Sequence, residues 1–250
     1  VYSLKTSVEI EIMRKAGYIV ALVLAEMKTF VKPGVSTLEL DQIAENIIRE
    51  NDAIPTFKGH MGFPATLCTS VNEEVVHGIP SAEKVLQEGD IISIDCGATY
   101  QGYVGDAAIT LPVGEISEEK QRLLKATEEA LNAGIESSVA GTILEEVSGA
   151  IEDTCKRYKL GLVRNYGGHG VGKNMWEEPF IFNWRTGLNM LMLVSGMTIC
   201  LEPMFNLGKD EVHVLRDGWT VVTNDKSPSA HFEHTIAITE TGPEILTKLF

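Results

Sequence analysis

Apolar positions recur every three or four residues in the first stretch of the chain. Ile12, Met13, Ala16, Ile19, Val20, Val23, Leu24 and Met27 fall on one face, which predicts an amphipathic helix. Thr6 and Glu9 form a capping-box pattern in front of it, and Pro33-Gly34 marks a stop behind it. A second helix is predicted directly after, with Ser36 and Glu39 as its box and Leu40, Ile43, Ala44, Ile47 and Ile48 as its buried face. Over residues 65–111 the period shortens. β-Branched runs such as Ile91-Ile92-Ser93-Ile94 and Ala108-Ile109-Thr110 alternate with glycine-rich turns, which predicts strands. Helical spacing returns from Ser117, with Leu123, Leu124, Thr127, Ala130, Leu131 and Gly134 on one face. Thr142 and Glu145 then predict the cap of a fourth helix, faced by Val147, Ala150, Ile151, Thr154 and Cys155. Strand patterns resume near residues 198–202, 219–223 and 232–239.

The order helix, helix, strands therefore occurs twice. An offset of 107 residues carries Gly34 onto Gly141, Leu86-x-x-Gly89 onto Leu193-x-x-Gly196, and Asp95 onto Glu202. Two related halves, about residues 7–111 and 117–239, are expected to close on each other as one domain spanning 1–250. Asp95 and Glu202 would then face a shared centre. The expected class is α+β, a curved and mainly antiparallel sheet covered by helices.

Charge narrows the function. With 35 Asp and Glu against 21 Lys and Arg, the formal net charge is −14. A surface that acidic repels phosphate, so neither nucleic acid nor an anionic membrane is an expected partner. No apolar run reaches the roughly 18 residues of a membrane span, and the apolar stretch at 19–25 has no basic leader. Cys68, Cys96, Cys155 and Cys200 lie far apart with no CxxC pair, as expected of a cytoplasmic protein with free thiols.

Several acids sit where burial would be costly without a compensating charge. Asp95 ends the apolar run Ile91–Ile94, and Asp106 precedes another apolar run. Glu202 follows Ile199-Cys200-Leu201, and Glu233 opens an alternating strand pattern. His169 lies in Gly167-Gly168-His169-Gly170-Val171-Gly172, where dense glycine permits close approach of backbone. Each of these, taken singly, has a plainer reading as a turn residue, a strand-end acid or a structural histidine. Together, two Asp, two Glu and one His form a hard-oxygen and imidazole set suited to one or two divalent ions of the Mn, Co, Fe or Zn kind. No cysteine joins the set, which argues against a structural zinc.

Nearly all of residues 3–248 resembles the type I methionine aminopeptidases, within the broader pita-bread fold shared with Xaa-Pro peptidases and creatinase. The segments carrying the resemblance include Phe57-Lys58-Gly59, Gly62-Phe63-Pro64, Ser70-Val71-Asn72-Glu73, His77-Gly78-Ile79-Pro80, Ile94-Asp95, Gly105-Asp106, Gly168-His169-Gly170-Val171-Gly172, Glu177-Glu178-Pro179, Leu201-Glu202-Pro203-Met204 and Phe232-Glu233-His234-Thr235. The resemblance implies a dinuclear metal site at Asp95, Asp106, His169, Glu202 and Glu233. It further implies that His77 lies over the substrate, that Glu202 passes a proton, and that His60, Phe63, Cys68, Met175 and Trp219 line a methionine side-chain pocket. The implied activity is removal of the initiator methionine from nascent polypeptides and peptides, by a monomer.

Three positions depart from the family pattern. Trp176 stands where a second histidine is usual, Met175 where an aromatic is usual, and His60 where a tyrosine is usual. Trp176 is therefore expected at the substrate with a donor but no acceptor. The rival readings are a Xaa-Pro peptidase, which usually carries a large N-terminal domain ahead of the catalytic repeat, and a pita-bread protein that only binds peptides. Such binding relatives typically lose ligands, and all five are present here.

Overall fold

The structure is a computed structural model, and it describes residues 2–249. Helices α1 (Ser7–Phe30) and α2 (Thr37–Glu50) come first. Strands β1 (Ile54–Pro55), β2 (Leu67–Val71), β3 (Glu74–Val76), β4 (Ile91–Tyr100) and β5 (Tyr103–Pro112) follow. Then come α3 (Glu118–Ser137), α4 (Leu144–Tyr158), β6 (Gly161–Leu162), β7 (Gly168–Gly170), β8 (Glu177–Ile181), β9 (Thr198–Leu201) and β10 (Met204–Asn206). The chain finishes with β11 (Val212–Val214), β12 (Val221–Thr223), β13 (Ser229–His231), β14 (Glu233–Thr239) and β15 (Gly242–Ile245).

Both predicted capping boxes form. Thr6 and Ser36 each accept from the backbone of the glutamate three residues on, and those glutamates reach back to the cap N–H. Such a cap contributes about 1 kcal/mol. α1 stops at Phe30, short of Pro33, and Gly34 makes the turn at φ +90°. The fourth helix corrects the sequence reading. Its N-cap is Ile143, with no side-chain cap bond. The Glu145 carboxylate instead accepts from the Gly187 and Asn189 N–H groups, because the loop at 186–189 crosses the helix start.

The main sheet has nine strands in the order β1-β4-β5-β14-β9-β7-β8, with β2 beside β4 and β15 beside β14. Its pairings are antiparallel. Alternation along the strands assigns the faces. Ile92, Ile94, Cys96, Ala98 and Ala107 pack under α1 and α2, with Val20, Leu24, Leu40 and Ala44. Ile199, Leu201, Ile236 and Ile238 pack under α3 and α4, with Leu123, Ala130, Val147 and Ile151. The opposite face of the same strands is left to Asp95, Asp106 and Glu233. Two isolated bridges, Ser36–Val85 and Ile143–Met192, hold the entry of α2 and α4 in the same way, each to a segment ahead of the strand that bears Asp95 or Glu202.

At the middle of the sheet β5 and β14 pair directly only at Glu233–Ala108 and His234–Ala107. Threonine hydroxyls take over on either side. Thr110 Oγ1 accepts from His231 N–H at 2.9 Å and donates to His231 C=O at 2.7 Å. Thr235 Oγ1 does the same with Asp106, at 3.0 and 2.7 Å.

Part of the glycine run at 167–170 is strand β7. A Cβ on Gly167 would overlap the Ile181 carbonyl, on Gly168 the Cys200 carbonyl, and on Gly170 the Glu178 carbonyl. The glycines let β7 lie close between β8 and β9.

Candidate metal centre and cleft

Register brings the acids together. On β4 Asp95 stands opposite Ala108, and on β5 Asp106 stands opposite Gly97. Glu233, at the start of β14, is also opposite Ala108. His169 on β7 faces Cys200 on β9, and Glu202 follows that strand with its carbonyl held by Asn183 Nδ2 at 3.0 Å. The five residues come from five strands or strand ends across both halves of the sheet.

The histidine is oriented for coordination. His169 Nδ1 lies 2.8 Å from the Gly170 carbonyl, which can only accept, so Nδ1 carries the proton. Nε2 then presents a lone pair, 3.6 Å from Glu202 Oε1 and 4.0 Å from Asp106 Oδ2. A carbonyl on the far nitrogen is the usual support of a metal-bound imidazole.

The carboxylates are strongly perturbed. Burial, then repulsion by Glu202, pushes Asp106 up to about 8. Burial pushes Glu202 up to about 7, with His169 opposing. Asp95 and Glu233 are raised well above the usual carboxylate range by burial and by their acidic neighbours. Asp95 Oδ1, Asp106 Oδ1 and Glu233 Oε1 are buried without a hydrogen-bond partner. Four clustered acids, three of them with an orphaned oxygen, and an aimed imidazole fit divalent cations, which would neutralise the repulsion and satisfy the oxygens.

A pH effect follows. Raised carboxyl pKa values mean that the folded metal-free protein binds more protons than the unfolded chain between about pH 4 and 8. Stability from these groups is complete below the unfolded pKa and is lost as pH rises through the folded values. The melting temperature of metal-stripped protein is expected to fall from pH 5 to pH 8, and a saturating divalent ion to remove that fall. Equal slopes with and without metal in thermal scans would contradict it.

All twelve residues expected at the site line one cavity of about 60 Å³, together with Phe57. Its apolar end is built from Phe57, Phe63, Cys68, Met175 and Trp219, with Phe63 edge-on to Trp219 at 5.1 Å. Phe57, which the sequence motif does not mark as lining, joins the pocket. The absence of a side chain at Gly97 makes its place, since a Cβ there would meet the Phe57 ring. His77 has φ +61° and a half-buried ring, kept neutral by desolvation that pushes its pKa down to about 4. Trp176, 47% exposed, lies edge-on to His60 at 5.1 Å and borders a second, outer cavity of about 480 Å³ with His77, Tyr166, Phe180 and Glu202.

The loop bearing Met175 and Trp176 is tied from outside. Lys5 Nζ, itself buried, lies 2.6 Å from Glu177 Oε2, and Ser3 Oγ donates to the same oxygen at 2.9 Å.

Two groups at the centre were not expected from sequence. Cys200 Sγ groups with Asp106, His169 and Glu233. Burial and the neighbouring acids push its thiol pKa well up, so it stays protonated beside Thr235 Oγ1. His231 is buried, with burial pushing its pKa down to about 3, and lies between Glu202 and Glu233.

A curved antiparallel sheet under two helix pairs, with four acids and a histidine at the base of a half-apolar cleft, defines a metal-dependent hydrolase site. The chain belongs to metallopeptidase family M24, which it matches over residues 11–240. It is 51% identical to a methionine aminopeptidase 1 of Bacillus subtilis over 98% of both chains. It is 49% identical to a methionine aminopeptidase of Clostridium acetobutylicum over the same share of each. A crystal structure of methionine aminopeptidase from Thermotoga maritima superposes with a TM-score of 0.97 at 45% identity, covering 99% of this chain and 100% of that one.

Proposed function

We propose that this chain is a metal-dependent aminopeptidase that removes N-terminal methionine from proteins and peptides. The observation that carries the reading is the joining of an acidic, cation-seeking floor to an apolar, sulfur-compatible pocket within one cavity. The whole-length relatives named methionine aminopeptidase support it.

Asp95, Asp106, His169, Glu202 and Glu233 would hold two ions, of the Mn, Co, Fe or Zn kind. Bound there, divalent ions polarise a carbonyl and acidify water. Glu202, whose Oε1 lies 3.6 Å from His169 Nε2 at the centre, takes the proton that the attacking water loses and passes it to the departing amine. His77, neutral at working pH, hydrogen-bonds the scissile amide. The Met side chain lies among His60, Phe63, Cys68, Met175 and Trp219. Its free α-amine ends in the acidic centre, which restricts cleavage to the first residue. Trp176 borders the outer cavity, where the following residues of the peptide run.

The wider reading is a cytoplasmic monomer acting on nascent chains, with neither nucleic acid nor membrane as partner. Among the described residues no helix is long and apolar enough to cross a membrane. One catalytic domain of two related halves is supported by the paired bridges at equivalent places.

Assay of Met-Ala-Ser against Ala-Pro peptides and peptides beginning with Lys or Asp, with each divalent ion in turn, tests the reading. Methionine release is expected to dominate, with a norleucine side chain tolerated, because one methylene or its isostere shifts binding by only about 1–3 kcal/mol. Preference for Ala-Pro, or for a charged first residue, would refute it.

A further inference from the structure

We infer that His231 is a sixth protein ligand of the metal centre, supplying a second imidazole nitrogen at a position formed with Glu202 and Glu233. The inference rests on the metal-centre reading above and extends its ligand set.

His231 ends β13, and its main chain cannot swing away, because Thr110 Oγ1 binds both its N–H and its C=O. The residue is 1% exposed. Its Nε2 has no hydrogen-bond partner, although Glu202 Oε2 lies at 3.3 Å and Glu233 Oε2 at 3.9 Å. A buried ring nitrogen beside two carboxylate oxygens, hydrogen-bonded to neither, is left unsatisfied by the protein alone. A shared cation satisfies all three atoms.

The spacing agrees. Nitrogen and oxygen donors about 2.1 Å from one ion in a roughly tetrahedral arrangement stand about 3.4 Å from each other. Glu202 turns one oxygen to each histidine, with Oε1 at 3.6 Å from His169 Nε2 and Oε2 at 3.3 Å from His231 Nε2. Glu233 belongs both to the group with Asp106 and His169 and to the group with Glu202 and His231. Asp106, His169, Cys200 and Glu233 thus form one set and Glu202, His231 and Glu233 another, overlapping at Glu233 and each with its own imidazole.

The test is nitrogen counting on the full-length protein, stripped and reloaded with Mn²⁺ for pulsed electron paramagnetic resonance and with Co²⁺ for calorimetric titration. Wild type is expected to show two coordinated imidazole nitrogens. His231→Gln should show one and bind Co²⁺ at least about tenfold more weakly. Glutamine keeps a hydrogen-bonding group near Glu202, so a histidine that only orients that carboxylate would leave both readouts unchanged. One nitrogen in wild type, or an unchanged count in His231→Gln, overturns the inference while leaving the metal centre standing. Wild-type protein that binds neither ion overturns the metal centre and the inference with it. Should His231→Gln melt before measurement, His169→Gln in its place must lower a wild-type count of two to one; a count that falls to zero overturns the inference.

Discussion

Glu233→Ala is expected to reduce methionine release on the order of 1,000-fold or more, and to lower the metal retained after dialysis. Glu233 is the donor common to both groups of ligand atoms, so its loss breaks each of them. His169→Ala should act in the same direction, since its Nε2 is the nitrogen aimed at Glu202 and Asp106. Neither variant should unfold. Glu233 is a repelled acid in the metal-free protein, and removing it relieves its neighbours Asp106 and Asp95. Metal analysis, peptide kinetics and melting of the stripped proteins check all three parts. Full turnover by demetallated wild type would end the metallopeptidase reading.

His77→Ala is expected to cost about 100–1,000-fold in kcat with a smaller change in KM, as loss of one transition-state donor usually does. The residue occupies left-handed backbone at φ +61°, a conformation a non-glycine residue rarely adopts and one often kept at working sites. Gly78 follows it so closely packed that a Cβ would meet the Thr69 carbonyl, which fixes the turn. Burial holds the imidazole neutral, with a pKa of about 4. His77 therefore titrates below the working range, and its replacement should scale the pH–rate profile between pH 5.5 and 8 without shifting either limb. A limb near pH 6 to 7 that vanishes in His77→Ala would show that the charged form does the work.

Much of this was legible in the chain, for local reasons. Capping boxes at Thr6 and Ser36 and the three-four periods behind them are short-range signals, and they set α1 and α2 nearly to the residue. Asp95 and Glu202 stood out because an acid after an apolar strand needs a partner. Thr142 misled because cap chemistry was overridden by a distant loop, the one that binds Glu145. The glycines near His169 signalled close approach, but that their neighbours would be the backbones of β8 and β9 is a matter of register that no local pattern carries. His231 had a usable signal. It lies two residues before Glu233 and four before Thr235, the spacing of one strand face.

Main-chain pairing is ordinarily indifferent to sequence, since every residue but proline brings the same donor and acceptor. The junction of β5 and β14 is an exception, with Thr110 and Thr235 supplying through hydroxyls what amides supply elsewhere. The place where the two halves of the molecule meet is thereby encoded in side chains. A substitution too small to disturb packing, such as the loss of one oxygen atom, reaches the backbone there as it could not in the continuous ladder between β4 and β5. It would be felt first at Asp106 or His231, so drift at two inconspicuous threonines is coupled directly to the chemistry beside them.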